Sequence, residues 1–142
     1  MANNVFLEST PENYEIRERI RLAVARVIDA PTSEFPSVAV EAIERIKKAS
    51  KKGGFNIGVA TRILVLARPD RIISMNKGAK VQLKNIFPEL RNYDLDVPKN
   101  YGLLLERLYR EPWFDVDEPG NEFERRLWSM RAALLDCFAY SP

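Results

Sequence analysis

The residues best suited to chemistry in this sequence form a short turn that opens onto an apolar run, Gly54-Phe55-Asn56-Ile57-Gly58-Val59-Ala60-Thr61. A turn of this kind between two helices exposes backbone N–H groups at the positive end of the next helix, where a phosphate can dock. Gly58 has no Cβ to obstruct a close approach, and Asn56 tolerates the left-handed backbone region. We therefore predict that a phosphate backbone is bound by Gly54, Asn56, Gly58 and Thr61.

The segment around this turn is strongly basic. Residues 45–84 contain eleven Lys or Arg and one acid, Asp70, a net charge of +10, whereas the whole chain carries +2 and the other 102 residues therefore carry −8. Such a segment repels itself unless an anion lies nearby, and the long polyanion that most proteins meet is nucleic acid, so the charge favours DNA binding. The candidate phosphate contacts are Lys47, Lys48, Lys51, Lys52, Arg62, Lys77, Lys80 and Lys84.

The composition excludes several classes of enzyme. The chain has no histidine, which removes Ser–His and Cys–His nucleophiles and His-ligated zinc. Its single cysteine, Cys137, allows no internal disulfide and fits a reducing compartment. The longest apolar run, residues 63–67, is far shorter than the ~20 residues that span a bilayer, and the N-terminus lacks a secretory signal. We therefore expect a cytoplasmic protein without cofactor, metal or membrane partner.

The elements that must position the turn are helices. Apolar residues recur at spacings of three and four, and Pro or Gly punctuates the ends of each run. This pattern predicts an all-α single domain of about six helices over 11–142, after a flexible leader over 1–10, with the hairpin motif at 54–76. The helices are expected over 11–28, 34–51, 58–67, 77–87, 99–110 and 121–139, with an extended passage over 70–76. In the last helix one apolar stripe comprises Phe123, Leu127, Met130, Leu134 and Cys137, and we expect Cys137 to be buried in it.

A longer pattern follows the turn: the hairpin of residues 56–61, the apolar helix of residues 62–67, a turn containing Pro69, Asp70 and Arg71, and an extended passage that ends at Asn76. This order resembles the helix-hairpin-helix segment of the base-excision DNA glycosylase superfamily. In that family a Gly-apolar-Gly hairpin opens a buried helix, a Pro-containing turn follows, and an extended passage ends at an essential aspartate. The resemblance implies a helix-hairpin-helix core that clamps duplex DNA.

The departures from the family pattern concern its chemistry. The first hairpin glycine is Asn56 here, and the lysine that bifunctional members use to form a Schiff base falls near Ala60. The catalytic aspartate aligns with Asn76, which cannot act as a base or stabilise a developing cation. The resemblance therefore implies a non-enzymatic DNA-binding module. By analogy, such a module would suit the DNA-reading part of a restriction or phage-defence system.

Two alternatives stay open. In the first, the protein is a protein–protein interaction domain whose basic centre meets an acidic partner or the acidic loops of a neighbouring copy, with Trp113 and Phe114 as aromatic anchors. The same pair would equally suit a seal over the core between the last two helices. In the second, the protein is a DNA-repair enzyme in which Asp70 or another carboxylate replaces the missing aspartate. Asp70 otherwise suits a turn residue that caps the following segment.

Overall fold

The computed structural model describes residues 10–50 and 54–139, and within them the fold is all-α, as the sequence predicts. No helix in these two ranges is long and apolar enough to cross a membrane. The same ranges contain two short 3-10 helices, at Thr32–Glu34 and Pro88–Leu90. Seven α-helices are formed by the described residues, namely α1 (Pro11–Ile28), α2 (Phe35–Lys47), α3 (Ile57–Ala67), α4 (Lys77–Ile86), α5 (Pro98–Leu108), α6 (Glu122–Ser129) and α7 (Arg131–Ala139).

The helix starts are fixed by side-chain caps. Thr10 precedes Pro11 at the start of α1, and its hydroxyl accepts a hydrogen bond from the N–H of the third helical residue. Asparagines cap α3, α4 and α6, at Asn56, Asn76 and Asn121 respectively. Each cap satisfies an N–H group that has no partner within its helix. Because these signals are local, the observed starts of these four helices lie at or within one residue of the predicted ones.

Helix α2 lies at the centre of the core, against α1, α3 and α5. The largest fully buried side chains come from α2, α3, α4 and α5, from the segment between α3 and α4, and from the loops around α5. The aromatic members of this set are Phe35, Tyr101 and Phe114. Their burial against several elements joins the helices into one hydrophobic core.

The chain between α3 and α4 begins as a turn over 69–71, so the predicted extended passage over 70–76 is wrong at its start. The rest, residues 72–76, is called the extended segment; residues 72–75 are buried, and no strand lies beside them in the described part of the chain. Backbone polar groups of the turn and the extended segment are paired by two tyrosines of the α5 region. The Tyr101 hydroxyl accepts from the N–H of Ile73 (3.1 Å) and donates to the carbonyl oxygen of the same residue (3.0 Å), and the Tyr109 hydroxyl donates to the Arg71 carbonyl (2.6 Å). Burial raises the pKa of both phenols, which keeps them protonated as donors.

Thr61 of α3 completes this pairing from the other side. Its side chain is fully buried, and its hydroxyl accepts from the N–H of Met75 (2.9 Å) while donating to the Ile57 carbonyl one turn earlier (2.8 Å). The hydroxyl therefore links α3 to the extended segment just before α4 begins. This link fixes the start of α4 relative to the start of α3.

The predicted helix over 121–139 is wrong at its middle, because the structure breaks it at Met130 into α6 and α7. In a continuous helix the N–H of Ala133 would bond to the carbonyl four residues earlier. It donates instead to the carbonyl of Pro69 (2.9 Å), which ties α7 to the turn after α3. At the same point Arg131 donates to the Trp128 carbonyl at the end of α6 (2.8 Å). A tertiary contact therefore ends one helix and starts the next.

The predicted burial of the last apolar stripe is also wrong. No residue of α6 is buried, and the exposed fractions of Phe123 and Leu127 are 69% and 45%. Cys137, expected in the core, is exposed. The stripe exists, but over α6 nothing in the described part of the chain covers it.

The role of Tyr101 can be tested by removing its hydroxyl. We expect Tyr101→Phe to lower the free energy of unfolding by about 2–3 kcal/mol, because the N–H and carbonyl of Ile73 are left unpaired inside the core. Urea unfolding monitored by circular dichroism measures this change. Tyr14→Phe is the matched control, since Tyr14 is 67% exposed and its hydroxyl supports no buried backbone; equal stability of the two variants would contradict the assigned role.

Candidate nucleic-acid interface

Two helix N-termini, those of α3 and α4, meet at one surface groove of about 540 Å³. The Asn56 side chain accepts from the N–H of Val59 (2.9 Å), and the Asn76 side chain accepts from the N–H of Ala79 (2.8 Å). Both caps line the groove, so the positive ends of two helix dipoles lie beside the same space. This arrangement suits an anion.

Three of the predicted cationic side chains line this groove. Arg62 comes from α3, and Lys77 and Lys80 come from the first turn of α4. Arg62 and Lys77 are exposed and form no ion pair with the described residues. The structure therefore brings together cations from two helices that are separated in sequence by the extended segment.

An acid, Asp96, lies within the same groove. Its carboxylate pairs with the ammonium of Lys80 at 2.5 Å, and its backbone carbonyl accepts from the Lys47 ammonium at 3.3 Å. Lys47 of α2 and Lys80 of α4 are thus held on either side of one residue. This role of Asp96 was not predicted, because nothing in the sequence around it points to two lysines on other helices.

Two other predicted cations, Lys84 and Lys48, lie outside the lining of the groove. Lys84 lies one to two turns beyond Lys77 and Lys80 on the same face of α4 and is partly buried. Lys48 is exposed at the end of α2, where its backbone carbonyl accepts from Arg19 (3.4 Å). Neither lines the groove. Lys51 and Lys52 lie outside the described residues.

The two predicted glycine positions approach the protein's own backbone. A Cβ on Gly58 would lie 2.9 Å from the Met75 carbonyl oxygen and 3.1 Å from the Asn56 side-chain oxygen. A Cβ on Gly54, which is exposed, would overlap the Lys47 carbonyl oxygen at 1.8 Å. Glycine at 58 therefore lets the first turn of α3 approach the extended segment, and it still contributes to the wall of the groove.

One predicted contact, Thr61, is corrected by the structure. Its side chain is fully buried and its hydroxyl bonds to backbone groups on both sides, so it cannot reach a nucleic acid at the surface. The turn places Thr61 one helical turn beyond Ile57, on the inner face of α3. Its role is to hold the groove together from inside.

The positions that would carry base-excision chemistry are occupied by structural residues. Ala60 is fully buried. Asn76 caps α4 with its oxygen and donates with its amide to the carboxylate of Asp136 on α7 (2.7 Å). A carboxylate therefore lies beside Asn76, although it comes from α7 and not from the segment that follows α3.

Asp70, the other candidate carboxylate, is enclosed by arginines. Both of its oxygens accept from Arg68, at 2.9 and 3.0 Å, and Arg71 lies 3.5 Å away. Partial burial disfavours ionisation, but the hydrogen bonds and charge of Arg68 outweigh it, so the pKa of this carboxyl lies below its usual value. An ionised, doubly paired carboxylate in a turn favours the structural interpretation of Asp70.

The two aromatic candidates for a protein partner differ in exposure. Phe114 is buried, with its ring stacked on Tyr109 at a centroid distance of 5.4 Å, so its predicted role as an anchor is corrected to that of a core residue. Trp113 is half exposed and donates from its indole to Glu111 (3.0 Å). Of the pair, Trp113 alone remains available to a partner.

The close approach at Gly58 leads to a stability prediction. We expect Gly58→Ala to destabilise the protein by about 1–2 kcal/mol, because the added methyl group forces α3 away from the Met75 carbonyl. An exposed helical Gly→Ala change without such a contact usually stabilises by up to about 1 kcal/mol. Thermal unfolding measures the difference. Gly120→Ala serves as the control, since a Cβ there has open space around it; a stabilised Gly58→Ala protein would refute the close contact.

Within residues 10–50 and 54–139, no three His, Cys, Asp or Glu side chains are grouped so that they could hold a metal ion. Comparisons with protein-family models, with curated proteins and with solved structures find no match to this chain.

Proposed function

We propose that the protein is a non-enzymatic DNA-binding module that contacts the phosphate backbone of a duplex at the groove between α3 and α4. The supporting observation is the meeting of two Asn-capped helix N-termini with Arg62, Lys77 and Lys80 around one open groove. Helix dipoles and charge-assisted hydrogen bonds both favour a phosphate at such a position.

The groove suits phosphate recognition rather than base readout. A backbone phosphate carries a full negative charge, and the groove offers cations and helix N-termini, whose preference for anions does not depend on the base attached. Lys84 on the same face of α4 and Lys48 at the end of α2 would extend the positive field beyond the groove. We therefore infer weak sequence preference and affinity that depends on ionic strength.

The salt dependence of duplex binding tests the proposal. If about four cations each neutralise one phosphate, the log of the association constant should fall with the log of the salt concentration with a slope of about −3.6. Fluorescence anisotropy with a labelled duplex at several salt concentrations measures the slope. A slope near zero, or no binding at low salt, would remove the proposal.

Two substitutions at the groove should act in opposite directions. Arg62→Glu should weaken duplex binding at least about tenfold and make the salt slope shallower by about 1, because it replaces a phosphate contact by repulsion. Asp96→Asn should strengthen binding, because it removes the acid that competes for Lys80. Affinity and slope are measured with the same labelled duplex.

Matched controls for these variants lie away from the groove. Arg110→Glu changes the charge by the same amount at another exposed arginine that has no ion pair in the described ranges. Asp117→Asn does the same for an exposed acid in the loop before α6. If each control altered binding as much as its partner, overall charge rather than the groove would explain the effect.

In the alternative, a protein-interaction domain, the basic centre would still contact the partner, but only one of the two predicted aromatic anchors is exposed. Trp113 is exposed enough to contact a partner, whereas Phe114 is not. A protein that fails to bind duplex at low salt but binds polyglutamate, with loss of binding in Lys77→Glu, would replace DNA by an acidic polypeptide as the partner.

A further inference from the structure

A second surface, on the opposite side of α7 from Asn76, is apolar and uncovered. Helix α6 is amphipathic, but its apolar residues Phe123 and Leu127 and the adjoining Met130 are 69%, 45% and 47% exposed. Phe138 near the end of α7 is 84% exposed. Exposed apolar residues scattered singly are ordinary, whereas a contiguous set marks an interaction surface.

Leu127 and Phe138 line a groove of about 420 Å³ between α6, α7 and the loop that precedes α6, whereas Phe123 and Met130 lie outside its lining. Its walls are largely apolar and include Trp113, Val116, Leu127, Leu134 and Phe138. The groove is held open by a hydrogen bond from the Trp128 indole to the Val116 carbonyl (2.9 Å), which fixes the loop against α6. It is therefore formed without a partner.

The rim of this groove is acidic. Residues 111–124 contain six Asp or Glu and no Lys or Arg. Glu118 and Glu122 pair with arginines of α6, but Asp117 and Glu124 form no ion pair with the described residues, and Glu124 lines the groove. Unpaired acids beside an apolar groove attract a cationic partner and repel nucleic acid.

Among the described residues, Arg131 is the one cation that lines this groove, and its guanidinium is already in contact with neighbouring side chains. The Arg131 guanidinium lies over the rings of Trp128 and Phe114, at 4.3 and 4.9 Å, and donates to the Trp128 carbonyl. Burial and the nearby charge of Arg71 lower its pKa. Arg131 therefore forms part of the floor and does not balance the charge of the rim.

We propose that this groove binds an amphipathic helix of another protein, with apolar residues on one face and Lys or Arg along its flanks. An apolar stripe at spacings of three and four would fill the groove from Trp113 to Phe138, while the flanking cations would meet Asp117 and Glu124. This proposal is independent of DNA binding, because it uses a different surface of opposite charge.

Charge also argues against the occupants that the chain itself offers. Residues 1–9, which lie outside the described ranges, contain one acid and no Lys or Arg, so the rim does not attract them. Helix α4 of a second copy carries lysines and could dock into this groove. In such a pair the groove of one copy would meet α4 of the other, so one groove and one α4 would stay unoccupied. Such a contact propagates into chains unless the geometry closes a ring.

The test uses the full chain and a labelled synthetic peptide of about 15 residues, long enough to form a helix, built from Leu and Lys with Leu at helical spacing. We expect saturable binding well below about 1 mM, and no comparable binding of the same peptide with Glu in place of every Lys. Leu127→Ser and Glu124→Lys should each weaken binding of the Lys peptide at least about fivefold. Fluorescence anisotropy measures all of these affinities.

Two matched variants control for general effects. Leu22→Ser changes a helical leucine of nearly the same exposure, 47% against 45%, on α1, and Glu106→Lys changes an exposed acid on α5. Both should bind the Lys peptide as the natural sequence does. Equal binding of the Glu peptide, equal losses in the control variants, or no saturable binding would overturn the proposal. So would concentration-dependent assembly of the chain, measured by sedimentation, that Leu127→Ser abolishes, because the occupant would then be a second copy.

Discussion

The structure depends on how one buried, extended segment finds partners for its backbone. Between α3 and α4 the chain crosses the core without a neighbouring strand, although every unpaired N–H or carbonyl there would cost free energy. Hydroxyl groups of Tyr101, Tyr109 and Thr61 take the place of a strand. Helix α5 and helix α3 thereby hold the segment from opposite sides. The position of α4, which begins immediately after it, follows from these bonds.

The candidate interface is a consequence of this arrangement. Because Met75 is bonded to Thr61 and its carbonyl lies against Gly58, the start of α4 lies beside the start of α3. Two caps then share one groove, and the cations of the first turns line it. Neither helix alone would concentrate this much positive potential, since the effect of a helix dipole falls off within one turn. The geometry rests on buried hydroxyl groups rather than on the cations themselves.

The elements were largely predictable from the sequence, because their signals are local. Thr10 with Pro11, and the asparagines at 56 and 76, mark helix starts that the structure places at or within one residue of the predicted positions. The break at Met130 was not predictable, since it depends on a hydrogen bond from Ala133 to the distant Pro69 carbonyl. The exposure of the α6 stripe was also hidden, because an amphipathic pattern indicates which residues share a face and not what covers that face.

In the candidate site, too, some features follow from local sequence and others depend on tertiary contacts. The lysines of α4 share a face by spacing alone, so Lys77, Lys80 and Lys84 could be grouped from the sequence. Thr61 shares the buried face of α3 with Ile57 and Leu64, so its inward position also follows from spacing. Its bond to the N–H of Met75 does not, because no pattern around Thr61 points to that group.

Asp96 then determines how the groove would receive an anion. Lys47 and Lys80 come from different helices, and Asp96 holds the first with its backbone carbonyl and the second with its carboxylate. The two lysines are therefore already held in place before any ligand arrives. A phosphate that displaced the carboxylate would meet cations whose conformational entropy had largely been lost on folding, which lowers the cost of binding. The same acid must be displaced from Lys80, so the net gain is the difference between the two pairs. The net gain in binding free energy is therefore largest for a ligand with several phosphates, because only the phosphate at Lys80 has to displace an acid.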